Sequence, residues 1–282
     1  MSTASLITRA KDFNTDDITY GAPKTNTHGG KAIPILMNGQ KLVLQFPLNF
    51  TYGAQTNVDD QTGRATHSLN LVLEDGSPLR TALAALEKKV LADSVTNSKS
   101  WYGRQINSPD VIAALLYPVV RYPKNKESGE PDLDRTPSVK AKLVAWEGVV
   151  KTELYTMDQQ VIHDARSHVL GVDEVLAAIP MGSHLTGLLQ CDGVWYAGGR
   201  CGVTWRLLQA KVKPPVRIQG YCMVDDSDEE DAAEAIDQAA LAGGEADDAE
   251  TAEVAEAAET IAPAAPKKKR AVKKRAPAAG AD

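Results

Sequence analysis

Aromatic and basic side chains recur together at four places in this chain of 282 residues. These are Trp101-Tyr102-Gly103-Arg104; Arg121-Tyr122-Pro123-Lys124-Asn125-Lys126; Lys140, Lys142 and Trp146; and Trp195-Tyr196 with Arg200, Trp205 and Arg206. An unpaired nucleic-acid strand requires this mixture: cations follow its phosphates, and flat rings stack on its bases at roughly 1–3 kcal/mol each. Each group also has a structural reading. Rings with a polar edge bury well, and alternate lysines ordinarily mark a solvated strand face. Trp205 fits the core best, because Val203, Trp205 and Leu207 share one face of a strand. On the ligand reading, Trp101, Tyr102, Tyr122, Trp146 and Tyr196 are the stacking candidates. Arg104, Lys124, Lys126, Lys140, Lys142 and Arg200 are the phosphate candidates.

Other chemistries have less to stand on. The sequence contains no Gly-x-x-x-x-Gly-Lys-Ser/Thr loop, no Gly-x-Ser-x-Gly and no His-Glu-x-x-His. Gly198-Gly199-Arg200-Cys201-Gly202 lacks dinucleotide-loop spacing and reads as a hairpin turn. The five histidines, at 28, 67, 163, 168 and 184, do not pair with cysteine at zinc-ligand spacing. Cys191 and Cys201 bracket one hairpin and read as small buried residues. We expect neither an enzyme nor a cofactor or metal. Three cysteines without a CxxC pair argue against a disulfide framework and for a reducing compartment. The start, MSTASLITRAKDF, has no apolar core of signal-peptide length, and no run of eighteen apolar residues suggests a membrane span.

Charge divides the chain sharply. Residues 1–222 hold 24 Lys+Arg against 21 Asp+Glu, a net of +3. From Asp225 to Ile261 there are fifteen acidic side chains and no Lys or Arg; from Ala262 to Asp282 there are seven basic ones and one Asp. Three regions are therefore expected: a folded domain at 1–222, an acidic disordered stretch at 223–261, and a basic disordered stretch at 262–282. A polyanionic run on a mildly basic body suits a body whose ligand is itself a polyanion, which the run can mimic and yield to; solubility alone is the other explanation. The cluster Lys267, Lys268, Lys269, Arg270, Lys273, Lys274 and Arg275 matches what nuclear import receptors bind, and a second polyanion contact is its alternative.

The elements that must position these residues read mainly as strands. Asn38-Gly39 joins Ala32–Met37 to Lys41–Phe46 as a two-residue hairpin. His67–Leu73 alternates, and Ser77-Pro78 opens a helix carrying Leu83, Leu86, Val90 and Leu91 on one face. Ser108-Pro109 opens a second helix, to Leu116, and a third is expected near Val172–Ala178. Ser138–Trp146 and Val149–Tyr155 read as strands around Glu147-Gly148. His184–Cys191, Gly193–Ala197 and Gly202–Val212 follow, with turns at Asp192-Gly193 and Gly198-Gly199-Arg200. The expected fold is mostly β: a small barrel of oligonucleotide-binding type, elaborated with a few short α-helices and followed by a disordered tail.

Several stretches resemble a known family. They are Ser100-Trp101-Tyr102-Gly103, Tyr117-Pro118 with its basic turn, Thr136 to Leu143 (TPSVKAKL), and Leu189 to Arg206 (LQCDGVWYAGGRCGVTWR). Together they resemble single-stranded DNA-binding proteins of nucleocytoplasmic large DNA viruses, a group similar to a phage replication protein with an acidic C-terminal tail. The likeness covers roughly residues 98–213. It implies an oligonucleotide-binding barrel and a single-stranded DNA ligand. Two departures stand out: the phage type ends in an aromatic residue where this chain reads Gly280-Ala281-Asp282, and PKKKRAVKKR is additional.

The resulting expectation is a non-enzymatic protein that coats single-stranded DNA in viral replication, recombination or repair. Its acidic run would compete for the groove or recruit replication proteins. Its setting would be the host nucleus or a viral replication site, reached through an import receptor, with no membrane contact. RNA remains open as a ligand, because a barrel accepts either nucleic acid. The rival reading is a structural or interaction protein, in a virion or on chromatin, that grips basic partners through the acidic run.

Overall fold

The computed structural model describes residues 7–27, 29–60 and 62–216. The barrel begins with Val43–Val58, a strand of 16 residues (β1). Leu44 and Phe46 point inward along its first half, and Asn49 and Thr51 do so after a shift at Pro47-Leu48. Two buried donors at this bend have partners: Asn49 Nδ2 donates to the Val72 carbonyl at 2.9 Å, and Thr51 Oγ1 to that of Asn70 at 2.8 Å. Bending lets β1 serve two neighbours, one along each half.

Four further strands complete a ring: Ala65–Val72 (β2), Ser138–Leu143 (β3), His184–Ala197 (β4) and Arg200–Lys213 (β5). The order is β1-β2-β3-β5-β4, closing from β4 back onto β1. Only the β3–β5 junction in this ring is parallel, with Ala141 opposite Trp205 and Lys142 opposite Arg206. This is a closed barrel with oligonucleotide-binding connectivity. Leu69, Leu71, Val139, Ala141, Leu143, Leu189, Trp205 and Leu207 fill it.

The barrel is extended at both ends. Lys31–Ile33 adds to the far half of β4, and Leu116–Tyr117 adds in parallel to the start of β5. Glu153–Thr156 pairs with the end of β5. The β2–β3 connection carries Pro78–Thr96 (α1), Ser98–Tyr102 (α2) and Pro109–Leu115 (α3); Val172–Ala177 (α4) precedes β4. As the Ser-Pro pair requires, Ser77 caps α1, accepting from the Arg80 N–H at 3.2 Å. Leu79, Ala82, Leu83, Leu86 and Val90 form its buried face.

Three expectations need correction. Asp192-Gly193 is not a turn: β4 runs through it, with a bulge between Cys191 and Gly193. Neither Ser138–Trp146 nor Val149–Tyr155 is one strand: β3 stops at Leu143, Ala145–Trp146 pairs separately with Val149–Val150, and Glu153–Thr156 pairs with β5. The second half of β1 was not recognisable as strand, since Asn49, Thr51 and Gly53 take the inward places usually held by apolar residues. Cys191 and Cys201 are both buried, opposite Trp205 and Tyr196 rather than each other. The acidic and basic stretches expected to be disordered lie outside the described residues.

Candidate nucleic-acid interface

One outward face runs unbroken over β2, β3, β5 and the far half of β4. In β3, Val139, Ala141 and Leu143 are buried, so Ser138, Lys140 and Lys142 point outward. Cross-strand partners share a face, which puts Asn70 beside Lys140, Ser68 beside Lys142, and Arg206 on the other side of Lys142. Alternation along β5 brings Thr204, Gly202 and Arg200 onto the same face. Register with β4 brings Trp195 beside Gly202. From Arg206 to Arg200 the row runs ~20 Å by ordinary strand rise.

Rings gather at the hairpin end of this row. The turn Gly198-Gly199, both residues at positive φ, closes the β4–β5 hairpin as its sequence required. Tyr117 pairs with Gly202 from the opposite side to Trp195, and the two rings lie 5.8 Å apart, centroid to centroid. The Arg200 guanidinium sits 5.3 Å from the Tyr117 ring centre. Tyr117 is 45% exposed. Arg121 bridges Ser138, two residues before Lys140 on that face. Glu87 of α1 fixes this segment: its carboxylate accepts from the Val119 and Val120 N–H groups at 2.5 and 3.2 Å.

At the other end of the barrel, Arg64 immediately precedes β2, and Trp146 lies just past β3, 67% exposed. Although Lys142 is exposed, partial desolvation among its neighbours disfavours its ammonium and lowers its pKa. Lys140, Arg64 and Arg206 repel it further, while Asp192 attracts it. Those four cations thus form a single electrostatic neighbourhood. Arg206 is paired with Asp192.

The sequence candidates divide. Lys140, Lys142 and Arg200 share the face; Trp146 does not continue it, since it belongs to a separate strand pair just past β3, where it is exposed. Trp101 and Tyr102 do not: at 3% and 7% exposure both are core residues, contrary to the stacking expectation. Trp101 packs edge-on against Tyr20 at 4.8 Å, and the Tyr102 hydroxyl reaches Cys201 Sγ at 3.6 Å. Tyr196 turns to the rear of the hairpin, its ring 4.7 Å from that of Tyr102. It is Trp195, its neighbour, that faces forward. Arg104 is exposed beyond α2. Tyr122 is half-buried, its hydroxyl accepting from Arg80 Nη2 at 3.2 Å. Lys124 and Lys126 are exposed on an excursion beyond the Arg121–Ser138 bridge that also carries Glu127 and Glu130.

Tyr117, Trp195, Arg64, Arg121 and Arg206 belong to the face but were not among the chosen candidates. For Trp195, Arg121 and Arg206 the signal was present, since all three lie in the aromatic–basic clusters. Tyr117 stood in one of the stretches of the family resemblance but outside the aromatic–basic clusters, and Arg64 lay outside both. Among the described residues, no group of three or more His, Cys, Asp or Glu is placed to hold a metal ion, and no helix is long and apolar enough to cross a membrane.

No protein-family model matches the chain, and no curated protein matches its sequence. Among solved structures, the single-stranded DNA-binding protein of bacteriophage Enc34 in complex with ssDNA is similar at 9% identity and a TM-score of 0.38, over 71% of this chain and 98% of that one. The same phage protein in a further structure reaches 11% and 0.35, over 75% and 99%. Bacteriophage T7 gp2.5, a single-stranded DNA-binding protein, reaches 12% and 0.36, over 69% and 94%.

Proposed function

We propose that this chain is a non-enzymatic protein that binds single-stranded DNA along the outward face of β2, β3, β5 and far β4. One observation carries the reading. Cations from separate stretches, Arg64, Arg121, Lys140, Lys142, Arg200 and Arg206, share a sheet face that holds the rings of Trp195 and Tyr117 at one end, and Trp146 is exposed just past β3. Phosphates would follow the cations, and bases would stack on the rings. A duplex hides its base faces in its own stack and would leave the rings unused.

If four to six phosphates are neutralised, log affinity falls against log salt with a slope of about −3 to −4, at roughly −0.7 per phosphate. Fluorescence titration with oligo-dT and with a duplex, at several salt concentrations, tests this. The expected result is preference for the single strand with that slope; a flat salt response or equal affinity for the duplex would overturn it. We place the activity in viral DNA replication, recombination or repair, as the family resemblance of residues 98–213 implies. On charge alone, the acidic run from Asp225 to Ile261 is assigned to competing with DNA for the face or to recruiting replication proteins. The basic cluster from Lys267 to Arg275 is assigned to nuclear import.

A further inference from the structure

Asp192 is an acid set among cations, and the fold takes a local detour to put it there. Across the β4–β5 ladder Cys191 pairs with Trp205 and Gly193 with Thr204, so Asp192 is the extra residue of the bulge. Gly193 makes the bulge possible. Its φ is 111°, and a Cβ there would collide with the backbone of Ile33 and Pro34. The Asp192 carboxylate meets Arg206 squarely: Nε donates to Oδ2 at 3.0 Å, and Nη2 lies 2.5 Å from Oδ1. Gln190 Nε2 adds a bond of 3.4 Å to Oδ1.

The side chains of this pair are 33% and 24% exposed, for Arg206 and Asp192 respectively, so a ligand on the face can reach it. A partly exposed ion pair contributes little to stability. The two parallel N–H bonds that grip a carboxylate are also the geometry with which arginine grips a phosphate. Of the charges that act on Lys142, Asp192 is the one that attracts, against Lys140, Arg64 and Arg206.

Given the strand-binding face proposed above, we infer that Asp192 is a built-in substitute for phosphate. It holds the Arg206 fork in the empty protein and gives it up to a strand phosphate on binding. The exchange keeps Arg206 shaped for phosphate, lowers the affinity of the face, and takes back part of the salt dependence, because the freed carboxylate gathers a cation. A carboxylate that merely aimed Arg206 at the ligand would act in the opposite direction, since its removal would weaken binding.

The test uses the full chain with oligo-dT over a salt series, comparing wild type, Asp192→Asn, Arg206→Gln and the double variant. Asp192→Asn is expected to bind about fivefold tighter at low salt, with a slope steeper by up to roughly 0.7. The gain disappears when Arg206→Gln is added. Weaker binding, or unchanged affinity and slope, in Asp192→Asn overturns the inference while wild-type binding leaves the face itself standing. Wild type without salt-dependent binding removes the face and the inference together. A readout that needs no variant is the Asp192 carboxyl carbon resonance in the wild type. It should shift on saturation with oligo-dT, and a resonance that stays put shows the fork was never released.

Discussion

Trp195 lies against Gly202 across the β4–β5 hairpin, and a Cβ at 202 would stand 2.9 Å from Trp195 Cζ2 and 3.0 Å from Cε2. The glycine therefore lets the indole settle on the strand beside Tyr117. Gly202→Val should lift the ring and spoil the platform. The expected loss is about 1–3 kcal/mol of oligo-dT affinity, the worth of one stacked base. The salt slope should hold, because no phosphate contact is removed. Titration at two salt concentrations separates these outcomes.

Lys140 and Lys142 point outward from β3, so replacing them should leave the core alone. For Lys140→Gln with Lys142→Gln, we expect a salt slope shallower by about 1.4, two phosphates' worth. Stability should change by about 0.5 kcal/mol or less, as for surface substitutions generally. Thermal unfolding alongside oligo-dT titration checks both halves.

Trp146 and Trp101 should respond in opposite ways. Trp146→Ala removes an exposed ring and should weaken oligo-dT binding while leaving the melting temperature in place. Trp101→Ala removes a ring packed on Tyr20 and should cost about 3–5 kcal/mol of stability. Denaturant titration of the two variants gives the comparison. Equal destabilisation would contradict the assignment of Trp146 to the interface.

Lys142 carries a pH dependence of definite sign. Partial desolvation lowers its pKa below the ordinary lysine value, and neighbouring cations push the same way. Only the ammonium form attracts phosphate. Affinity should therefore hold below this lowered pKa and decline as pH rises through it, earlier than for an ordinary lysine. Lys142→Arg, which stays charged, should flatten that decline. Oligo-dT titrations from neutral to alkaline pH follow it directly.

Glu87 anchors the segment that bears Tyr117 and Arg121 by accepting from the Val119 and Val120 N–H groups. Glu87→Ala leaves these donors without their acceptor, at a cost of about 1–3 kcal/mol. Faster hydrogen exchange across residues 116–121, together with weaker oligo-dT binding, is the expected pair of changes.

Much of the framework was legible because local rules govern it. Ser77-Pro78 starts α1, Asn38-Gly39 and Gly198-Gly199 turn their hairpins, and the alternation of Ser138 to Leu143 separates wet from buried positions. Trp195 and Tyr196 mark where local reasoning stopped. Adjacent strand residues face opposite ways, and which one meets solvent depends on what covers the hairpin's rear. Tyr102 covers it, from a helix almost a hundred residues earlier. Trp101 and Trp146 sit in similar basic surroundings, yet only the first has Tyr20 to pack against.

From its residues alone, this chain was committed to strands joined by tight turns, outward lysines at 140 and 142, and a body and acidic run of opposite charge. Those features follow from side-chain period, turn dihedrals and the cost of burying charge, all of which act over a few residues. Tertiary closure decided the rest. The parallel junction of β3 with β5 set Lys142 beside Arg206, and the bulge at Asp192 turned a carboxylate toward that arginine. Leu116–Tyr117, pairing with the start of β5, carried Tyr117 to Trp195. Such contacts join residues distant along the chain, and a pattern of period two defines two faces without saying what each will meet.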